Sequence, residues 1–96
     1  MLQAYVDGYA ALDAGAVKRV FASVQEATLR QAFSEMRAYQ AQIQDQQIVI
    51  SGTTATVSGT WAAVITNRGG RTQRLSPKIA LRLQKSGDTW IIVDRR

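Results

Sequence analysis

Histidine and cysteine are both absent from this 96-residue chain, which leaves carboxylates, phenols and amines for any proton transfer. The side chain most often used as a general base near neutral pH is therefore missing. A Ser–His–Asp triad, a Cys–His pair, a disulfide and a thiolate metal site cannot be assembled. Gly69-Gly70 lacks the further glycines and the lysine of a phosphate-cradling loop. Among the carboxylates, Asp45 leads. It shares strand parity with Ile43, so it can turn toward the same interior, where a carboxylate shielded from water acts as a base. Tyr9 is the phenol that could donate to an oxyanion beside it. The plainer role for Asp45 is a polar residue at a bulge or strand end. Asp7 falls off its helix's apolar stripe, Glu26 reads as a cap and Glu35 as a solvated helix residue. Lys18, Lys78 and Lys85 all lie among polar neighbours. The pattern requires no cofactor and offers no metal-ligand set.

A binding role draws on other residues. Tyr5, Tyr9, Phe33, Trp61 and Trp90 can line an apolar pocket in which phenol and indole tips supply polar contacts. The same residues also serve a sequence that simply needs to fill a core. Charge is unevenly spread. Residues 1–67 carry four basic and five acidic groups, whereas residues 68–96 carry eight basic groups against Asp88 and Asp94. Arg68, Arg71, Arg74, Lys78 and Arg82 could face an anionic partner. No aromatic residues interleave them, so a stacking platform for nucleic acid bases is unsupported. The same charges also keep a hairpin soluble and discourage edge-to-edge pairing. No apolar run reaches membrane-spanning length, no signal-peptide pattern opens the chain, and nothing assigns a compartment.

The elements that must position these residues are legible from periodicity. Leu2, Tyr5, Val6, Tyr9 and Leu12 form one helical stripe over 2–12. Asp13 is placed to cap a second helix over 14–22 that carries Ala16, Val17, Val20 and Phe21. Ser23-Val24-Gln25-Glu26 has capping-box spacing before a third helix that carries Leu29, Phe33, Met36 and Tyr39 and ends near Gln40. The period then changes to two. Ile43, Ile48 and Ile50 mark a strand with a parity break that a β-bulge near Gln46-Gln47 would repair. Ala55, Val57, Gly59, Trp61, Ala63 and Ile65 share one face of the next strand, and Thr54, Thr56, Ser58, Thr60, Ala62 and Val64 the other. Ile79, Leu81 and Leu83 mark a third strand, with Pro77 demanding an edge or a bulge at its start. Thr89 to Asp94 is the fourth. Gly59, in mid-strand, is where the sheet could bend.

Helices followed by hairpins predict an α+β domain, three N-terminal helices on a bent four-stranded antiparallel meander, occupying residues 1–96 as a single unit. The chain starts almost at once in a helix and stops just after a strand, which reads as a piece of a longer protein. The stretches Tyr5-Val6-Asp7-Gly8-Tyr9-Ala10-Ala11-Leu12-Asp13, Ala55-Thr56-Val57-Ser58-Gly59 and Leu81-Arg82-Leu83-Gln84-Lys85-Ser86-Gly87-Asp88-Thr89-Trp90-Ile91-Ile92 resemble the nuclear transport factor 2-like (SnoaL-like) superfamily. The resemblance spans the whole chain and implies a cone-shaped fold, closest in kind to small bacterial accessory domains. That superfamily includes isomerases, dehydratases, cyclases, epoxide hydrolases, transport adaptors and non-catalytic modules. Its histidine-based catalytic branches are excluded here. In its steroid isomerases a base aspartate lies in a region comparable to Asp45. Relatives with this fold also pair across the sheet face, which the small side chains of Thr54 to Val64 would permit. The expectation is thus a non-catalytic accessory domain that takes a small apolar ligand or pairs as a homodimer through the sheet. The alternative is a small lyase or isomerase using Asp45 and Tyr9.

Overall fold

The computed structural model describes residues 2–96 and contains three helices and five strands in one sheet. Helix α1 spans Leu2–Ala10, α2 Ala14–Val20 and α3 Glu26–Ser34. Strand β1 runs Met36–Ser51, β2 Thr54–Asn67, β3 Thr72–Leu75, β4 Lys78–Ser86 and β5 Thr89–Arg95. The sheet order is β1-β2-β4-β5, and every pairing is antiparallel. The helices cover one face, with α1 and α3 over β1 and α2 against β5.

The first helix buries the expected stripe, since Leu2, Tyr5, Val6, Tyr9 and Leu12 all belong to or pack on the core. It stops two residues early, with Leu12 in the left-handed region at φ +54°. Asp13 caps α2 as predicted, its carboxylate accepting from the Ala16 N–H at 3.1 Å. The capping box before α3 does not form. Gln25 occupies the N-cap without a side-chain bond, Glu26 pairs with Arg30 one turn on, and the Ser23 hydroxyl donates instead to the Val93 carbonyl of β5.

The largest departure lies at residues 36–40, expected to be helical and found in β1. Phe33, Met36 and Tyr39 satisfy a helical period, but Tyr39, Ala41 and Ile43 also satisfy a strand period. Pairing decides between them. Tyr39, Ala41 and Ile43 stand opposite Ile65, Ala63 and Trp61, so the N-terminal half of β1 fills the edge that the long β2 would otherwise leave open. The short β3 was also missed, giving five strands rather than four. β3 and β4 lie in succession along the same edge of β2, separated at Ser76-Pro77, where the Pro77 carbonyl accepts from the Trp61 N–H. The break at Pro77 is what a residue without a donor requires.

The predicted bulge is present. The β1–β2 register shifts between Gln44 and Gln47, and Ile43 and Ile48 consequently face the same side, opposite Trp61 and Val57. Gly59 lies beside the shift, where a side chain would collide with the Gln44 carbonyl and the Ile43 methyl. Val57, Trp61, Ile79, Leu81, Leu83 and Phe33 are buried as expected, while Leu29 and Met36 are partly buried against them. Arg82 stands opposite Asp94 as anticipated, but the Asp94 carboxylate accepts from Arg96, at 3.2 Å.

Candidate functional site

Five aromatic rings meet where α1 and α3 cross the N-terminal half of β1. Tyr5 and Tyr9 come from α1, one turn apart on the same face. Phe33 comes from the end of α3, Tyr39 from β1 and Trp61 from the middle of β2. Tyr9 is the hub, with ring centroids 5.1 Å from Trp61, 5.2 Å from Tyr5, 5.3 Å from Tyr39 and 5.4 Å from Phe33. Its contacts with Trp61 and Phe33 are edge-to-face, the arrangement the ring quadrupole favours. The Trp61 indole N–H donates to the Tyr39 hydroxyl at 2.9 Å inside the core.

A charge enters this apolar cluster from β5. The register puts Arg95 opposite Leu81, on the buried face of the sheet. Its guanidinium lies 4.6 Å from the Trp61 ring centroid and donates from Nη1 to the Tyr5 hydroxyl at 2.7 Å. Tyr5 and Tyr9 are also within 6.0 and 5.9 Å of it. Cation–π attraction and one charge-assisted hydrogen bond hold it in place. Among the described residues Arg95 forms no ion pair. Burial pushes the Tyr9 phenol well above the usual tyrosine range, reinforced by the adjacent Tyr5 and opposed by Arg95. Burial raises Tyr39 as well, opposed by the Trp61 hydrogen bond and by Arg95. Both phenols therefore stay protonated through the physiological range and serve as hydrogen-bond groups, not as bases.

The cluster opens outward into a concavity of about 660 Å³. Tyr5, Tyr9, Tyr39 and Arg95 form its floor, Phe21, Val24, Leu29 and Ala32 an apolar wall, and Ser23, Gln25, Thr28 and Arg96 the polar remainder. Among the described residues no aspartate, glutamate or lysine side chain lines it. Of the residues singled out from sequence, Tyr5, Tyr9, Phe33 and Trp61 meet in the cluster, where Tyr5 and Tyr9 line the concavity and Phe33 and Trp61 are buried behind it. Trp90 is not among them. From β5 it stands opposite Lys85 of β4 and borders a separate hollow with Arg19 and Val20 of α2. Asp45 does not face the cone either. It is the extra residue of the bulge, exposed, with φ +53°. The bulge that restores the parity of Ile43 and Ile48 does so by turning Asp45 out. Sequence reasoning missed Tyr39, assigned to a helix, and Arg95, counted only as part of a basic tail. The alternation of Ile92, buried on the inner face, with the intermediate-exposure residues after it gave no clear parity, because β5 itself carries a register shift opposite Arg82 and Leu83.

The opposite face of the sheet carries Thr56, Ser58, Thr60, Ala62 and Val64 in one column, as expected. It is not flat. Gln40, Gln42 and Gln44 of β1 and Arg74 of β3 flank the column and enclose a hollow of about 540 Å³.

No family model and no curated protein matches the chain. Solved structures do match its fold. One is a nuclear transport factor 2-like superfamily protein from Salmonella enterica, with a TM-score of 0.86 and 14% identity over 99% of this chain and 82% of that one. A candidate dehydratase of the nuclear transport factor 2-like family from Streptomyces avermitilis gives 0.85 and 10% over 99% and 88%. The association domain of C. elegans calcium/calmodulin-dependent protein kinase II gives 0.73 and 15% over 98% and 86%. The chain has the nuclear transport factor 2-like fold. These neighbours include both enzyme-like and assembly-forming proteins, so the fold by itself selects no function.

Proposed function

We propose that this domain is a non-catalytic accessory module whose cone binds a small ligand with an apolar body. One observation carries the reading: the concavity is walled by aromatic and aliphatic groups, and among the described residues no aspartate, glutamate or lysine side chain lines it. Acid–base chemistry needs a group poised near the working pH and a second to orient it or stabilise charge. Here burial holds the Tyr9 and Tyr39 phenols protonated, and Asp45 lies outside. A screen of the purified domain against enolisable ketones, epoxides and hydroxy-dihydronaphthalenones is expected to show no turnover above buffer. Turnover lost in Asp45→Asn or Tyr9→Phe, with circular dichroism unchanged, would establish the lyase or isomerase alternative.

The sheet's outer face supports a second role, pairing with another copy of the chain. Val49 extends the small-residue column beside Thr56 and is 69% exposed, an unusual exposure for a large aliphatic side chain in a strand. The column itself contains no charge, and the basic residues that share its face, Arg74, Lys78 and Arg82, all lie to one side of it, on β3 and β4. Light scattering at micromolar concentration is expected to give twice the 10.5 kDa chain mass. Val49→Lys should shift the species toward monomer. A wild-type monomer at high concentration rules the pairing out.

A further inference from the structure

We propose that the ligand of the cone carries a carboxylate, and that Arg95 is the residue that takes it. This rests on the reading of the cone as a binding site and specifies its chemistry. Arg95 is partly withdrawn from water against an aromatic cluster, and the hydration it loses there favours a counter-charge. The two other arginines with hydrogen-bonded side chains in this protein, Arg30 and Arg96, each have a carboxylate partner. Arg95 has none among the described residues. Among the described residues its one hydrogen-bond acceptor is the Tyr5 hydroxyl, which engages one of five guanidinium N–H donors. The remaining donors belong to a side chain that forms part of the concavity's floor.

The surroundings favour an incoming anion in three further ways. The concavity holds two arginines and no acidic residue, so its potential is positive. Arg96 is already engaged by Asp94, which leaves Arg95 as the cation without an ion pair at the site among the described residues. The Trp61 ring at 4.6 Å and the bond to Tyr5 fix the guanidinium plane from behind, which lowers the entropy lost when a planar, two-oxygen group docks on it. A carboxylate matches the guanidinium fork with two parallel hydrogen bonds. The apolar wall of Phe21, Leu29 and Ala32 then accommodates the body attached to it.

The test uses benzoate and its neutral isostere benzamide, titrated into the intact 96-residue chain at pH 7 and followed by tryptophan fluorescence and calorimetry. Benzoate is expected to bind at least tenfold more tightly than benzamide. Arg95→Leu should abolish that preference, Arg95→Lys should retain part of it, and Arg96→Leu should leave it nearly unchanged. Equal binding of the two probes overturns the carboxylate assignment while leaving the cone as a binding site. Failure of both probes to bind overturns the binding reading as well. A preference for benzoate that survives Arg95→Leu and disappears in Arg96→Leu assigns the anion seat to the wrong arginine and overturns the role given to Arg95. Because the benzoate–benzamide comparison is made on the unmodified chain, it decides the matter even if a variant fails to fold.

Discussion

Trp61→Ala is expected to lower the unfolding free energy by about 3–5 kcal/mol, the cost of deleting a large buried aromatic and leaving a cavity. Trp61 is 1% exposed and touches the rings of Tyr5, Tyr9 and Tyr39. Its indole also supplies the hydrogen bond to the Tyr39 hydroxyl and the ring beneath the Arg95 guanidinium. The substitution thus removes area, a buried donor and a cation–π partner at one position. A domain of this size has roughly 5–10 kcal/mol of stability in total, so about a third or more of it would vanish. Urea denaturation checks this, with Trp90→Ala as the comparison. Trp90 is only partly buried and stands outside the cluster, so its removal should cost clearly less. A Trp61→Ala loss below about 1 kcal/mol would mean that the cluster does not support the fold.

Gly59→Ala should produce the second large loss, about 2–3 kcal/mol, through overpacking. An added methyl carbon would come within 2.7 Å of the Gln44 carbonyl oxygen and 2.9 Å of Ile43 Cγ2. The first of these is backbone, held in the bulge, so the collision is relieved only by moving β1. That movement would disturb the strand segment carrying Tyr39 and so the floor of the cone. A loss of less than about 0.5 kcal/mol would indicate that β1 and β2 are further apart at the bulge than the register implies.

Much of the architecture is readable from local pattern because local physics decides it. The stripe from Leu2 to Leu12, the Asp13 cap and the alternation from Ala55 to Ile65 each follow from a single period or a single side-chain bond. The parity break between Ile43 and Ile48 even locates the bulge. What was not readable depends on partners far along the chain. Residues 36–40 satisfy two periods at once, and only the length of β2 selects the strand. β3 is four exposed residues whose pairing, not whose composition, makes it a strand. The same distinction governs the site. Tyr5, Tyr9, Phe33 and Trp61 were identifiable because aromatic residues on predicted apolar faces must converge. Tyr39 followed the misread segment. Arg95 was invisible because an arginine in a basic C-terminal run looks solvated until a register shift in β5 turns it inward. Asp45 is the converse case: parity with Ile43 alone would turn it inward, but at the bulge parity does not hold, and Asp45 takes the plainer of its two expected roles, a polar residue at a bulge.

The proposed ligand site is the aromatic cone and no other surface. Nitrogen–proton correlation spectra of the uniformly labelled domain test it most directly, because the chain has two indole N–H groups, one in the cone and one outside it. On titration with benzoate, the Trp61 indole resonance, hydrogen-bonded to Tyr39, is expected to move progressively together with the backbone amides of Tyr5, Tyr9 and Arg95, while the Trp90 indole stays in place. A spectrum in which Trp90 moves and Trp61 does not would contradict the account.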